Sequence, residues 1–289
     1  MTPPAAGATV DLHLHSTASD GHLPPEGVVE RAAAAGLAAM ALTDHDTIAG
    51  VPAALEAGGR LGVRVIAGCE FSVSAPWGEM HLLGYFLPAD SAELEAFLHR
   101  CRTDRIRRAQ EMVSRLQALG VSVVFDDVLL AARGGALGRP HVARALVRAG
   151  AAADIHQAFD RFLGRGRPAY VDKILPALRE VSELVHAVGG VVSAAHLKDR
   201  ATRAVLERFR DDGLDAVEVR HPSHSPDQRA RLTGLANALR LGRSGGSDWH
   251  GDAMTDGDHA TIGSQQVPAE WLALLESRRP ASTPTRAPL

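Results

Sequence analysis

Cysteine and lysine are both scarce in this chain. Cys69 and Cys101 are the only thiols, and Lys173 and Lys198 the only lysines, among 289 residues. Two cysteines are too few for a disulfide framework or a thiolate-rich zinc site, so both are expected to be reduced. No apolar run approaches the ~18 residues that cross a bilayer, and the amino terminus lacks the basic-then-apolar layout of a signal peptide. A soluble, cytoplasmic protein is the expectation. Missing as well are a Gly-x-Ser-x-Gly elbow, a Gly-rich loop ending in Gly-Lys-Ser/Thr, and a dinucleotide fingerprint opening a helix. No side-chain nucleophile presents itself.

What is present is an ordinary globular composition, 45% hydrophobic and 22% charged, enough to bury a sizeable core. The formal charge of −3 is unevenly spread. Between Cys101 and Tyr170 there are 12 Arg, no Lys and 6 Asp or Glu, so this stretch is strongly basic and the remainder acidic. Arginine suits bidentate contact with phosphate, and the alternative is a solvated arginine-rich helix surface. Histidine is abundant, with 14 copies.

Apolar runs bounded by turn residues alternate with helical periodicity. Strands are expected at Thr9–Leu14, Ala38–Thr43 and Val63–Ser72, with helices at Pro25–Ala35 and Ile48–Leu61. A hairpin-like run, Met80–Phe86, follows. The alternation resumes with helix Pro176–Val188, strand Val191–Ala195, helix Ala201–Asp211, strand Ala216–Arg220, helix Pro226–Leu241 and strand Arg243–Ser247. Strands that alternate with helices imply parallel pairing and βαβ crossovers, and about seven of them would close, or nearly close, a barrel. The fold class is therefore α/β. Residues 91–166 break the rhythm with four helical stretches (Ala92–Ala118, Phe125–Ala132, Pro140–Ala149 and Ala153–Leu163), which reads as a helical insertion dividing a barrel of residues 9–90 and 167–277. Residues 278–289, rich in Pro, Ser, Thr and Ala, read as a disordered tail.

The histidines fall where the strands end. His13 and His15, two apart, share one face of the first strand, and Asp20 follows in its loop. The second strand ends in Thr43-Asp44-His45-Asp46 and the third in Glu70. The hairpin offers His81, later strands offer His196, His221 and His224, and the last offers Asp248 and His250. Active sites of parallel α/β barrels lie at the carboxyl ends of the strands, so these side chains point at one volume. Gly245-Gly246 before Asp248 would let backbone approach closely. Cys69, opposite Glu70 by alternation, is read as a packing residue, and Asp44 and Asp46, opposite His45, as groups that hydrogen-bond the ligands. Imidazole and carboxylate without thiolate suit Zn²⁺, Mn²⁺ or Fe²⁺ better than Ca²⁺ or Mg²⁺. The nine residues His13, His15, Asp20, His45, Glu70, His81, His196, Asp248 and His250 are enough for two or three ions. Such centres suit in-line displacement at phosphorus, with metal-bound hydroxide as nucleophile.

The motifs Asp11-Leu12-His13-Leu14-His15-Ser16, Thr43-Asp44-His45-Asp46, Gly68-Cys69-Glu70-Phe71-Ser72, His81-Leu82-Leu83-Gly84-Tyr85, Gly138-Arg139-Pro140-His141 and Ser247-Asp248-Trp249-His250-Gly251 resemble, in order and spacing over roughly residues 9–265, the polymerase and histidinol phosphatase (PHP) family. Within it the chain is most similar to stand-alone nucleotide phosphoesterases, which include 3′,5′-nucleotide bisphosphate phosphatases and a 5′-to-3′ exoribonuclease. The resemblance implies a distorted seven-stranded (β/α) barrel with a trinuclear centre. It implies one ion on His13, His15, Glu70 and Asp248, a second on Glu70, His81 and His196, and a third on Asp20, His45 and His250. It also implies that Arg139, and with it His141 and His224, reach the substrate phosphate, with Arg139 and His224 as catalytic groups. The expected substrate is a nucleoside mono- or bisphosphate, or the 5′ end of a short single-stranded RNA; no obligate protein partner is evident. Two departures stand out. Ala195-His196-Leu197-Lys198 replaces the usual Ala-His-Pro-Gly, and the acidic stretch Gly251–Thr261 has no assigned role.

Three other readings remain open. A histidinol-phosphate phosphatase shares the metal chemistry but has no need of an arginine-rich insertion. A non-catalytic PHP-like module would bind metal or phosphate without turnover. An amidohydrolase-type barrel also opens with His-x-His but normally wants a bridging lysine, a place that Glu70 fills here.

Overall fold

The computed structural model describes residues 7–252 and 260–280. The expected tail beyond residue 280, and most of the acidic stretch after Gly251, lie outside the described residues.

Buried apolar runs make the barrel strands: β1 (Thr9–Leu14), β2 (Ala39–Leu42), β3 (Arg64–Ala75), β4 (Gly78–Tyr85), β5 (Val191–Ala194), β6 (Ala216–Arg220) and β7 (Gly242–Gly245). They form one sheet in the order β7-β6-β5-β4-β3-β2-β1, with a two-residue eighth strand, β8 (Val267–Pro268), antiparallel on the free edge of β1. The chain after β7 returns to β1 through a Leu14–Trp249 bridge, so the sheet curves into a nearly closed barrel. β8 is a departure from the sequence reading, since two residues carry no periodicity to detect. β4 is antiparallel to both neighbours, and apart from the β1–β8 edge pair the remaining pairings are parallel.

Helices cover the outside: α1 (Pro25–Ala34), α2 (Val51–Leu61), α7 (Leu178–Ala187), α8 (Arg203–Asp211), α9 (Pro226–Leu239) and α10 (Ala269–Glu276). Local chemistry sets their starts. Ser225 accepts from the Gln228 N–H while the Gln228 side chain accepts from the Ser225 N–H, and Pro226 occupies the first turn of α9. The expected helix at Ile48 starts only at Val51, because 45–50 form the turns that carry His45 and Asp46.

Between β4 and α7 the chain builds α3 (Ala92–Ala118), α4 (Phe125–Ala132), α5 (Arg139–Arg148) and the short α6 (Ile155–Ala158), which runs on into a π turn at Phe159–Leu163. Apolar side chains from Ala109 to Val171, including Met112, Leu116, Leu146 and Leu163, form a cluster of their own, separate from the barrel core. Several contacts dock this unit on the barrel, among them the Arg165 guanidinium on the Trp77 carbonyl at 2.9 Å. Arg105 on α3 places its guanidinium on Asp46, with Nη2 at 2.6 Å, and both side chains are buried. The Ala136 N–H donates to the Ala18 carbonyl at 2.8 Å.

Candidate metal centre

β1 ends with His13 and His15 on one face, both buried, as the two-residue spacing requires. Opposite them Gly246 passes so close that a Cβ there would lie 2.4 Å from the His13 Cβ. Any larger residue would push the last strand, and with it Asp248 and His250, away from β1. Asp248 and His196 adopt left-handed φ values of 50° and 30°, sharp strand-end bends that a non-glycine residue holds only under local constraint.

The nine expected ligand residues converge. Glu70 is the hub: its Oε2 lies 3.3 Å from His13 Nε2, 3.2 Å from His15 Nε2 and 3.1 Å from His45 Nδ1. Its Oε1 lies 2.8 Å from His81 Nδ1 and 3.1 Å from His196 Nε2. Asp248 Oδ1 completes one group, 3.2 Å from His13 Nε2 and 3.1 Å from His15 Nε2. Asp20 faces His250, with Oδ1 3.3 Å from Nε2, and its Oδ2 stands 3.9 Å from His45 Nε2. Among these nine residues there are three compact donor sets, His13-His15-Glu70-Asp248, His15-Asp20-His45-His250 and His45-Glu70-His81, and outside the nine Glu218 and His221 form a further group with His13. The first coincides with the set that the resemblance implies. In the other two, His45 stands between groups and His15 joins the Asp20 set, whereas His196 reaches Glu70 from the side.

These residues fit divalent cations on their own chemistry. Two donors each about 2.1 Å from one cation stand roughly 3.0–3.4 Å apart, which is the spacing around Glu70 and Asp248. Among the described residues, buried His13 Nε2, both His15 nitrogens, His45 Nδ1, Asp20 Oδ1 and Glu70 Oε2 have no hydrogen bond. Buried polar atoms without a partner are costly, and a metal ligand is one of the few roles that explain so many together.

The electrostatics agree. Burial opposes ionisation of Glu70, yet His45, His81 and His13 outweigh it and hold the carboxyl well below its usual range. Burial likewise disfavours protonated His15, but Asp248 and Glu70 raise its pKa to about 10. Protons on these imidazoles and divalent cations are alternative ways to balance the same carboxylates. Metal uptake therefore releases protons and weakens as pH falls.

Glu218, in mid-β6, was missed by the sequence reading. It is fully buried, its Oε1 lies 3.1 Å from His13 Nδ1, and its Oε2 accepts the His196 N–H at 2.8 Å. It fixes the His13 ring so that Nε2 faces the cluster. The available signal was a lone carboxylate within a buried parallel strand. Glu218→Gln should weaken metal binding by about 10–100-fold while the protein stays folded, measured by competition with a chelator.

Asp44 and Asp46 hydrogen-bond the ligand Glu70 through their backbones, the Asp44 carbonyl accepting the Glu70 N–H and the Asp46 N–H donating to the Glu70 carbonyl, both at 3.1 Å, while their carboxylates serve other partners. Asp44 accepts from the Ser16 N–H and hydroxyl, both at 2.7 Å, and from the Ser19 hydroxyl at 2.6 Å, which fixes the loop that carries Asp20. Asp46 accepts from the Ser72 N–H at 2.9 Å and from Arg105. Cys69 is buried in the core, as expected, and both cysteines are free thiols.

A cavity of about 430 Å³ opens over the cluster, lined by Asp20, Glu70, His196, Asp248 and, from the insertion, Arg139 and Phe159. Arg139 lies over the Phe159 and Tyr170 rings at 5.6 and 5.8 Å and, among the described residues, has no carboxylate partner. The other two residues expected to contact phosphate do not line this cavity. His224 Nδ1 donates to the Val219 carbonyl at 3.1 Å and Nε2 accepts the Lys198 N–H at 3.2 Å, so neither ring nitrogen is left for a phosphate. His141 is buried, with Nδ1 accepting the Gly138 N–H at 2.9 Å, and faces a different cavity. His221, a strand-end residue outside the nine expected ligands, lines the metal cavity, with Nε2 3.3 Å from Asp248 Oδ2.

A PHP domain model matches residues 11–224. The chain belongs to that family. Asp248 and His250 lie beyond the matched PHP stretch, yet they supply donors to two of the three sets. Among relatives, a 5′-3′ exoribonuclease of Haemophilus influenzae is 35% identical over 83% of this chain and 89% of its own length. A 3′,5′-nucleoside bisphosphate phosphatase of Chromobacterium violaceum is 35% identical over 84% of this chain and 87% of its own. A solved structure from Bifidobacterium adolescentis, assigned to the metal-dependent phosphoesterases, superposes with a TM-score of 0.84 at 32% identity, covering 96% of this chain and 98% of that one.

Proposed function

We propose that the chain is a metal-dependent phosphoesterase that hydrolyses a phosphate ester of a nucleotide, a nucleoside mono- or 3′,5′-bisphosphate, or the 5′ end of a short single-stranded RNA. The observation that carries this reading is the convergence of five imidazoles on the two oxygens of Glu70 beneath an open cavity walled by Arg139. The names of the relatives support it. We further assign two or three divalent ions, Mn²⁺, Zn²⁺ or Fe²⁺, to the sets His13-His15-Glu70-Asp248, His15-Asp20-His45-His250 and Glu70-His45-His81 with His196 alongside. When bound, such ions polarise the phosphate and make water nucleophilic at neutral pH.

The side chains of this protein do the rest. Glu218, Asp44 and the Gly246 approach hold the donors in place. Arg139 reaches into the cavity from the insertion with a planar cation suited to a phosphate oxygen, and its charge is not spent on a carboxylate. Phe159 offers an apolar face beside it, the surface a ribose or base would cover. The leaving alcohol takes a proton from water or from a wall imidazole, of which His221 is one.

The test is a screen of nucleoside monophosphates, 3′,5′-bisphosphates, 5′-phosphorylated short RNAs and histidinol phosphate with Mn²⁺ supplied. Turnover of a nucleotide or RNA with histidinol phosphate inert is the expected result. Preference for histidinol phosphate would reassign the substrate, and no turnover of any of them would favour a non-catalytic module.

A further inference from the structure

Three of the arginines that make residues 101–170 basic share a cavity. Arg133 and Arg148, both exposed, and the half-buried Arg144 line a second cavity of about 220 Å³ together with His22, His141 and Ser19, and among the described residues no carboxylate lines it. Among the described residues, the guanidinium groups of Arg133 and Arg148 have no hydrogen bond or ion pair. Arg144 donates to the Asp20 carbonyl at 2.9 Å.

The cavity is set between two rigid walls. One is the loop 17–22 after β1, whose His22 N–H donates to the His250 carbonyl at 2.7 Å; the other is the α4–α5 corner. These walls touch at Gly135, where a Cβ would lie 2.4 Å from the Thr17 carbonyl oxygen. Arg133 ends α4 in the left-handed region, with φ 50°, a place where glycine is the easier residue. Arg133 and Arg144 repel one another, the Asp20 carboxylate offsets part of this at Arg144, and an anion in the cavity would relieve the rest.

We infer that this cavity binds a phosphate group at a site separate from the metal cluster, across the Asp20 loop from it. Three forked donors suit a phosphate monoester or diester better than a lone carboxylate. The group can come from two sources: a second phosphate of the substrate, or free inorganic phosphate. Occupancy does not depend on the hydrolytic reading; the substrate source does.

Arg133→Glu, Arg148→Glu and the double variant test it, because neither side chain has a partner whose loss would disturb the fold. Crystals of the metal-loaded wild type soaked in tungstate, a heavy phosphate analogue, should show an anomalous peak among Arg133, Arg144 and Arg148 that the double variant lacks. If the source is the substrate, the KM for adenosine 3′,5′-bisphosphate rises about tenfold in the double variant, while that for AMP stays within about twofold. If it is free phosphate, the peak is lost but both KM values hold. A wild-type crystal with no peak in the cavity overturns the inference, as does an equal rise in both KM values, which would mark a diffuse field and not a site. Should no nucleotide be turned over at all, the hydrolytic reading fails and the tungstate peak still decides.

Discussion

Purified Asp248→Asn is expected to hold less metal than the wild type and to lose phosphoesterase activity by roughly three orders of magnitude or more. Asp248 Oδ1 lies within 3.2 Å of both His13 Nε2 and His15 Nε2, so it closes the donor set built on β1. Asparagine keeps the shape and tolerates the left-handed backbone at this position, whereas alanine would add a conformational cost of its own. The isosteric change therefore removes the charge and little else. His13→Ala should act the same way through the opposite member of the set. Metal analysis beside a turnover assay checks both, and retained metal with full activity in His13→Ala would defeat the assignment of the site.

The second large effect is of the opposite kind. Arg139→Ala should lower kcat by about 10²–10³-fold, the range for loss of one preorganised donor at a developing charge, while metal content stays normal. Arg139 approaches the cavity from the insertion and belongs to none of the donor sets. Arg139→Lys should recover only part of the rate, because a point charge replaces a planar fork. A rise in KM with kcat unchanged would make Arg139 a binding group alone.

Legibility in the sequence followed the range of the signal. The strand ends were legible because a period of two and a carboxyl-end location together say where His13, His15, His45, Glu70 and Asp248 must point. The basic insertion was legible as a charge excess. The structure places Arg139 at the metal cavity and Arg133, Arg144 and Arg148 at the second one, while Arg108, Arg161 and Arg165 bond backbone carbonyls elsewhere. Tertiary hydrogen bonds were not legible. Glu218 reads as one odd residue in a strand until His13 is found beside it, and His224 reads as a ligand-like imidazole until the Lys198 and Val219 backbones are seen to use both its nitrogens. Asp46 looked like a companion to His45, yet its partner is Arg105, 59 residues away, which fastens the insertion to the barrel.

A crystal soaked in Mn²⁺, with anomalous scattering recorded at the manganese edge, puts the account to its most direct trial. Two or three peaks are expected within bonding distance of the donors around Glu70, Asp20 and Asp248. Side chains turned away from one another with no peak between them would contradict it.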